Sequence, residues 1–134
     1  MRELVLEKFD EDDRFIYYHP TAPIKIFDFE LDKSECDINI CQKLDRLEVA
    51  PILANYLEWL MLCKDKVSSY FSSKLGERLP EDWFENIEVY SVSLTFITLE
   101  DFGATISFGE NVFPDHIIEF YFDKFEITND VLNG

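Results

Sequence analysis

The sequence predicts a single α+β domain in which one long helix packs across one face of a mostly antiparallel sheet. Apolar residues recur at three- and four-residue steps from about Asp45 to Leu75, which is the period of an amphipathic helix. The segments on both sides instead alternate apolar and polar residues, which is the period of a strand. A chain of 134 residues can bury one hydrophobic core, so we expect residues 1–134 to form one domain.

Turn-forming residues divide the alternating segments into about five to six strands, in the order β-β-β-α-β-β-β. Residues 36–40 fit either a strand or an irregular lead into the helix, because Asp37 and Asn39 disfavour a strand. Pro51 is predicted in the first turn of the helix, and residues 64–69 are its weakest part. The predicted strands cover residues 2–8, 14–18, 24–31, 87–99, 104–108 and 116–122, and residues 125–128 fit a short last edge strand. On the strand at 116–122, alternation predicts Ile118, Phe120 and Phe122 on the core side and Ile117, Glu119, Tyr121 and Asp123 on the outer side.

The composition combines a globular chain with a strongly acidic surface. A hydrophobic fraction of 47% is too high for a disordered chain. There are 28 Asp and Glu against 12 Lys and Arg, a net charge of -16, and residues 77–134 hold thirteen acidic residues against only Arg78 and Lys124. Such charge repels phosphate backbones and anionic lipids, so the sequence predicts neither nucleic acid nor a membrane as partner. It favours a basic protein partner.

The sequence also predicts where the protein resides. Residues 1–8 alternate charged and apolar side chains, unlike the apolar core of a signal peptide. The longest apolar stretch, residues 52–63, is interrupted by polar residues and is too short to span a bilayer. The odd number of cysteines, Cys36, Cys41 and Cys63, indicates reduced thiols, whereas a Cys36–Cys41 disulfide would require a tight hairpin. We therefore expect a cytoplasmic protein.

Patterns typical of catalytic or cofactor sites do not occur in the sequence. Only His19 and His116 could activate a nucleophile as histidine bases, and no nucleophile motif accompanies either. There is no HxxxH, CxxC or EF-hand pattern, and no glycine-rich turn of the kind that binds phosphate. We therefore predict a non-enzymatic protein with no cofactor and no metal. The enzymatic alternative is an acid-base site made of His116 and a neighbouring carboxylate.

Acidic turns are the candidate partner-binding patch. Aromatic side chains such as Trp83, Tyr90 and Tyr121 could anchor the same interface. The candidate residues are Asp10, Glu11, Asp12 and Asp13 in the first turn, Glu100 and Asp101 in the second, and Glu110 and Asp115 in the third.

A small, acidic α+β protein without catalytic residues resembles the immunity proteins of bacterial polymorphic-toxin and contact-dependent-inhibition systems. Residues 102–110, FGATISFGE, and 115–123, DHIIEFYFD, are similar to the terminal hairpin of several bacterial families linked to such systems. The resemblance implies an inhibitor whose carboxylates mimic phosphates in the basic active-site cleft of a nuclease-type toxin. The alternative is a structural or regulatory module that associates with itself through the exposed sheet face, with the charge serving solubility.

Overall fold

The computed structural model of the chain describes residues 5–27, 29–75, 88–109 and 117–133. These residues form both strands and helices, so the predicted α+β class is confirmed. The helices are α1 (Arg46–Leu62) and α2 (Lys64–Leu75). The strands are β1 (Leu6–Glu11), β2 (Phe15–Pro20), β3 (Ile24–Ile26), β4 (Phe29–Leu31), β5 (Cys36–Cys41), β6 (Glu88–Phe96), β7 (Phe102–Gly109), β8 (Ile117–Asp123) and β9 (Glu126–Asn133).

Seven strands form one mixed sheet in the order β1-β2-β5-β6-β7-β8-β9. Neighbouring strands are antiparallel except for β5 and β6, so the mostly antiparallel character is confirmed. Parallel neighbours need a crossover connection, and α1 and α2 supply it. The predicted strand number and order are wrong, because the main sheet has seven strands while β3 and β4 pair separately.

The segment predicted as one strand at residues 24–31 is a short hairpin. Ile26 pairs with Phe29, so the chain reverses within two residues. Phe27 adopts a φ of 53°, a region that bulky residues rarely occupy. Its side chain is buried, and its ring stacks 6.4 Å from that of Phe120, which holds the hairpin against the main sheet. Period-two alternation continues through this turn and therefore gave no sign of it.

Residues 36–41, which fitted either a strand or a lead into the helix, form the central strand β5. Its apolar side chains enter the core, whereas Asp37 and Asn39 point to the opposite side. The Asn39 amide donates to the hydroxyls of Ser93 and Thr95 on β6, at 3.1 and 3.3 Å. The parallel strand β6, which is distant in sequence, thus accepts hydrogen bonds from Asn39, one of the two residues that made the strand prediction uncertain.

The single long helix of the prediction is two helices. The Asp45 carboxylate caps α1 by accepting a hydrogen bond from the N–H of Leu47 at 2.9 Å. Pro51 is the sixth residue of α1, not part of its first turn, and cannot donate to the Leu47 carbonyl. Leu47 is 83% exposed, so water can donate a hydrogen bond to this carbonyl instead. The helix is interrupted at Cys63, next to residues 64–69, which were predicted to be its weakest part.

Neither described helix combines the length and the apolar character needed to cross a membrane.

The helices and the β3–β4 hairpin cover one face of the sheet. The Tyr56 ring of α1 meets the rings of Phe96 and Phe102 edge-on, with centroids 6.4 and 4.9 Å apart, and the Trp59 ring meets that of Phe122 at 5.4 Å. No described element covers the opposite side, here called the open face. Among residues whose side chains are described, its strand positions are Glu7, Phe9, Asp10, Phe15, Tyr17, His19, Asp37, Asn39, Cys41, Glu88, Tyr90, Ser91, Ser93, Thr95, Gly103, Thr105, Ser107, Gly109, Ile117, Glu119, Tyr121 and Asp123.

The edge strands β1 and β9 both continue beyond their predicted ends, and β1 ends at Glu11 where residue 8 was predicted. β9 continues to Asn133, beyond the four residues predicted at 125–128. β1 carries charged residues and a bulge between Lys8 and Asp10. Charge and a bulge both discourage pairing with a strand of another molecule, so the β1 edge is protected against strand addition.

Candidate functional site

Two of the three predicted acidic turns lie at the same end of the sheet. The β1–β2 turn adjoins the end of β5, because Phe15 pairs with Cys41. β6 ends at the same level, because Ile40 of β5 pairs with Phe96, and the β6–β7 turn follows. With strands about 4.8 Å apart, the two turns are about 14 Å apart. We call residues 10–13 and 97–101 together the acidic end.

Asp12 organises the first turn. Its carboxylate accepts the backbone N–H groups of Arg14 and Phe15, both at 2.8 Å, and the hydroxyl of Tyr17 at 2.5 Å. The Tyr17 hydrogen bond is the main cause that lowers the pKa of Asp12, and the backbone hydrogen bonds add to it. Asp12, predicted as a partner-binding residue, therefore has a structural role in the turn.

Asp10 and Glu11 were predicted in the first turn but are the last two residues of β1, and their carboxylates, like that of Asp13, are exposed. Glu11 pairs with the Lys8 ammonium at 2.5 Å, and Asp10 accepts the N–H of Glu11 at 2.8 Å. No described contact engages the Asp13 carboxylate. Exposed ion pairs contribute little free energy, so the Lys8–Glu11 pair can be exchanged for a partner's base at small cost.

A threonine holds the second turn. The Thr98 hydroxyl accepts the N–H groups of Glu100 and Asp101 at 3.1 and 2.9 Å. The turn covers residues 97–101, slightly earlier than the predicted 100–103. The carboxylates of Glu100 and Asp101 are not needed for this turn and both residues are exposed.

The structure does not describe the third predicted turn, residues 110–116. Glu110 and Asp115 lie outside the described residues, as do His116 and Trp83. The strand ends that flank residues 110–116, Gly109 and Ile117, lie at the other end of the sheet from the acidic end.

The open face extends the negative surface away from the acidic end. Its strand positions include no lysine or arginine. Arg14 reaches only the margin, where its guanidinium carbon lies 5.4 Å from the centre of the Phe15 ring. The potential over this face is therefore negative. Its acidic strand positions are Glu7, Asp10, Asp37, Glu88, Glu119 and Asp123.

A shallow cavity of about 270 Å³ lies on the open face around Gly103. Asp101 also lines it, so the cavity is continuous with the acidic end. Gly103 brings β7 close to β8, because an added Cβ would lie only 2.3 Å from the carbonyl oxygen of Phe122. The polar side chains around the cavity are Ser93, Thr95, Thr105, Tyr121, Asp101 and Asp123.

The outer side of β8 combines carboxylates with an aromatic ring, as its alternating sequence predicts. The Tyr121 hydroxyl donates to the Glu119 carboxylate at 3.1 Å, and this hydrogen bond raises the pKa of Tyr121. Tyr90, the other predicted anchor within the described chain, is 39% exposed and lies over Gly109.

His19 belongs to an aromatic cluster on the open face. Its ring stacks on Phe9 with centroids 3.9 Å apart, and its Nδ1 lies 3.0 Å from the Cys36 carbonyl oxygen and 3.4 Å from the Asp37 carboxylate. Burial raises the pKa of the Cys36 thiol to about 12, so this thiol remains protonated at neutral pH. His19 and Cys36 therefore do not form an activated thiol pair.

The three cysteines are free thiols in the structure. Burial raises the pKa of the Cys63 thiol to about 12. Cys36 and Cys41 stand at the two ends of β5 on opposite faces, about 17 Å apart by strand geometry, which excludes the Cys36–Cys41 disulfide. Within the described ranges, no three His, Cys, Asp or Glu side chains converge as metal ligands would.

Sequence reasoning found the turns but missed part of the face. Asp37 was overlooked because residues 36–40 were not assigned to a strand, and Gly103 because it was placed in a turn. The signal for Gly103 and Thr105 was the alternation of β7, in which small or polar residues occupy every second position from Gly103 to Ser107.

Comparison of the chain with protein-family models, with curated proteins and with solved structures finds no match.

Proposed function

We propose that the protein is a non-enzymatic, acidic binding protein of the immunity type, which neutralises a basic, nuclease-type toxin by occluding its active site. The observation that carries the proposal is the acidic end. Two acidic turns that are about ninety residues apart in sequence lie about 14 Å apart across the sheet. Since the described turn geometry does not require Asp13, Glu100 or Asp101, these carboxylates are available to a partner.

The proposed mechanism is electrostatic competition for a phosphate-binding cleft. A cleft that binds nucleic acid presents lysine and arginine side chains, which pair with carboxylates as they do with phosphates. A net charge of -16 would accelerate encounter with such a cleft and disfavour acidic partners. The enzyme is then blocked by occupancy, and no reaction on the inhibitor is required.

Recovery of the partner tests this proposal directly. We expect the tagged protein, passed through a lysate of its source organism at low salt, to retain one basic protein at equal stoichiometry. Mass spectrometry identifies that protein, and its nuclease activity should fall when the two are mixed. We expect a nanomolar dissociation constant and an association rate that decreases as salt increases.

Matched charge changes test whether the partner binds at the acidic end. We expect Asp13→Asn combined with Glu100→Gln to weaken binding about tenfold at low salt, because both carboxylates belong to the acidic end. The control combines Asp65→Asn with Glu58→Gln on the helices, which changes the net charge equally and should leave affinity nearly unchanged. Equal losses in both double variants would contradict the assignment of the patch.

The self-associating module is disfavoured by the charge of the open face. Two copies that met through this face would place carboxylates opposite carboxylates, with no lysine or arginine on its strand positions to compensate. Recovery of only the protein itself from the lysate, together with a stable dimer in sedimentation, would overturn the immunity proposal.

A further inference from the structure

We propose that the open face is the docking surface itself, and that its occupant is a basic α-helix of the partner protein. This inference rests on the proposed function for the class of partner. It differs from the proposed function in placing the main contact on the sheet face, with the acidic end at the edge of the contact. Three properties of the face carry it: its shape, its charge and its polar floor.

The shape of the open face is a trough. The central strands β5, β6 and β7 present short side chains along most of this side, including Asn39, Ser93 and Thr105, and Tyr90 closes the trough over Gly109, at the end away from the acidic end. Larger side chains lie on the two flanking strands. Tyr17 and His19 of β2 form one wall of the trough, and Glu119 and Tyr121 of β8 form the other. Three strands span about 14 Å, which accommodates a helix about 10–12 Å in diameter.

The charge of the trough selects a basic occupant. Asp37 lies on one side, Glu119 and Asp123 lie on the other, and Asp101 stands at the end next to the acidic end. A helix in the trough would place lysine or arginine side chains within reach of both walls, because these long side chains extend sideways along a surface. An acidic or neutral helix would bring no cation to these carboxylates.

The floor can satisfy polar groups of the occupant. The hydroxyls of Ser93, Thr95 and Thr105 can donate or accept hydrogen bonds, and the cavity of about 270 Å³ around Gly103 gives room for a side-chain head group. Tyr121 borders the cavity and offers a ring face to a guanidinium.

The test uses a model helix, so it does not depend on identifying the natural partner. The probe is a synthetic alanine-based helix that carries lysine and arginine, and the control peptide has glutamine at those positions. Backbone amide resonances of the full chain are followed during titration at low salt. We expect shifts at Ser93, Thr105 and Tyr121 with the basic peptide, and no shifts with the glutamine peptide. Shifts confined to residues 10–13 and 97–101, or no binding at all, would overturn the inference.

A pair of variants separates the face from general charge effects. We expect Thr105→Lys, which puts a long cation on the floor, to weaken peptide binding at least about tenfold. Ser69→Lys adds the same charge on the exposed side of α2 and should change affinity less than about twofold. Equal effects of the two variants would contradict the proposal. If Thr105→Lys does not fold, the resonance shifts of the unmodified chain during titration with the basic peptide test the proposal instead.

Failure here is distinguishable from failure of the proposed function. If the lysate yields a basic toxin but the peptide does not bind the face, the immunity role stands and the docking surface is elsewhere. If the peptide binds the face but no basic protein is recovered, the surface stands and the immunity role does not. A dimer in which the open faces meet would overturn the surface assignment.

Discussion

Gly103 shows how one residue sets the distance between two strands. A Cβ added there would lie 2.3 Å from the carbonyl oxygen of Phe122, a backbone atom that cannot move without its strand. At Gly109 an added Cβ would lie 2.3 Å from the hydroxyl of Tyr90, an exposed side chain that can turn away. We expect Gly103→Ala to lower the free energy of unfolding by about 1–3 kcal/mol, and Gly109→Ala by clearly less.

Urea unfolding of both variants, followed by circular dichroism, measures this difference. The two substitutions add the same methyl group to the same strand, so Gly109→Ala is the matched control. Similar losses would mean that β7 and β8 can separate locally, and the structural reason given for Gly103 would then be wrong.

Asp12 illustrates a residue-scale role that composition cannot reveal. Four consecutive acidic residues appear equivalent in the sequence, yet only Asp12 accepts two backbone N–H groups and the Tyr17 hydroxyl. Tyr17 is five positions along the chain and belongs to the next strand. The distinction between Asp12 and Asp13 therefore depends on the hairpin that brings Tyr17 back over the turn.

At the scale of single elements, α1 depends on its N-cap more than an uninterrupted helix would. Pro51 removes one donor inside α1, and Asp45 satisfies the N–H of Leu47 at the start. We expect Asp45→Ala to lower the free energy of unfolding by about 1 kcal/mol. Asp45→Asn retains an acceptor oxygen and should retain most of the stability. Thermal unfolding of both variants checks this, and equal losses would show that negative charge rather than the hydrogen bond matters at this position.

At the scale of the whole molecule, the net charge of -16 opposes compaction. We expect the melting temperature to rise by several degrees between low and physiological salt, because the Debye length then falls from about 30 Å to about 8 Å. Calorimetry in sodium chloride at constant pH measures this change. The variant with Asp13→Asn and Glu100→Gln carries less charge and should show a smaller rise. A melting temperature that is insensitive to salt would mean that the carboxylates lie too far apart to repel one another.

The sequence alone determined the α+β class, the mostly antiparallel sheet and the two acidic turns of the described chain. These features depend on local periodicity and turn chemistry, as on β8, where Glu119, Tyr121 and Asp123 were correctly assigned to the outer side. Only the tertiary structure decided the parallel pairing of β5 with β6, the separate β3–β4 hairpin and the convergence of the turns. Strand partners are chosen by long-range packing: β5 buries Cys36, Ile38 and Ile40, and β6, about fifty residues away, accepts the Asn39 amide through two hydroxyls. The open face has the same origin, since alternation divides each strand into two sides but the crossover helices determine which side is covered.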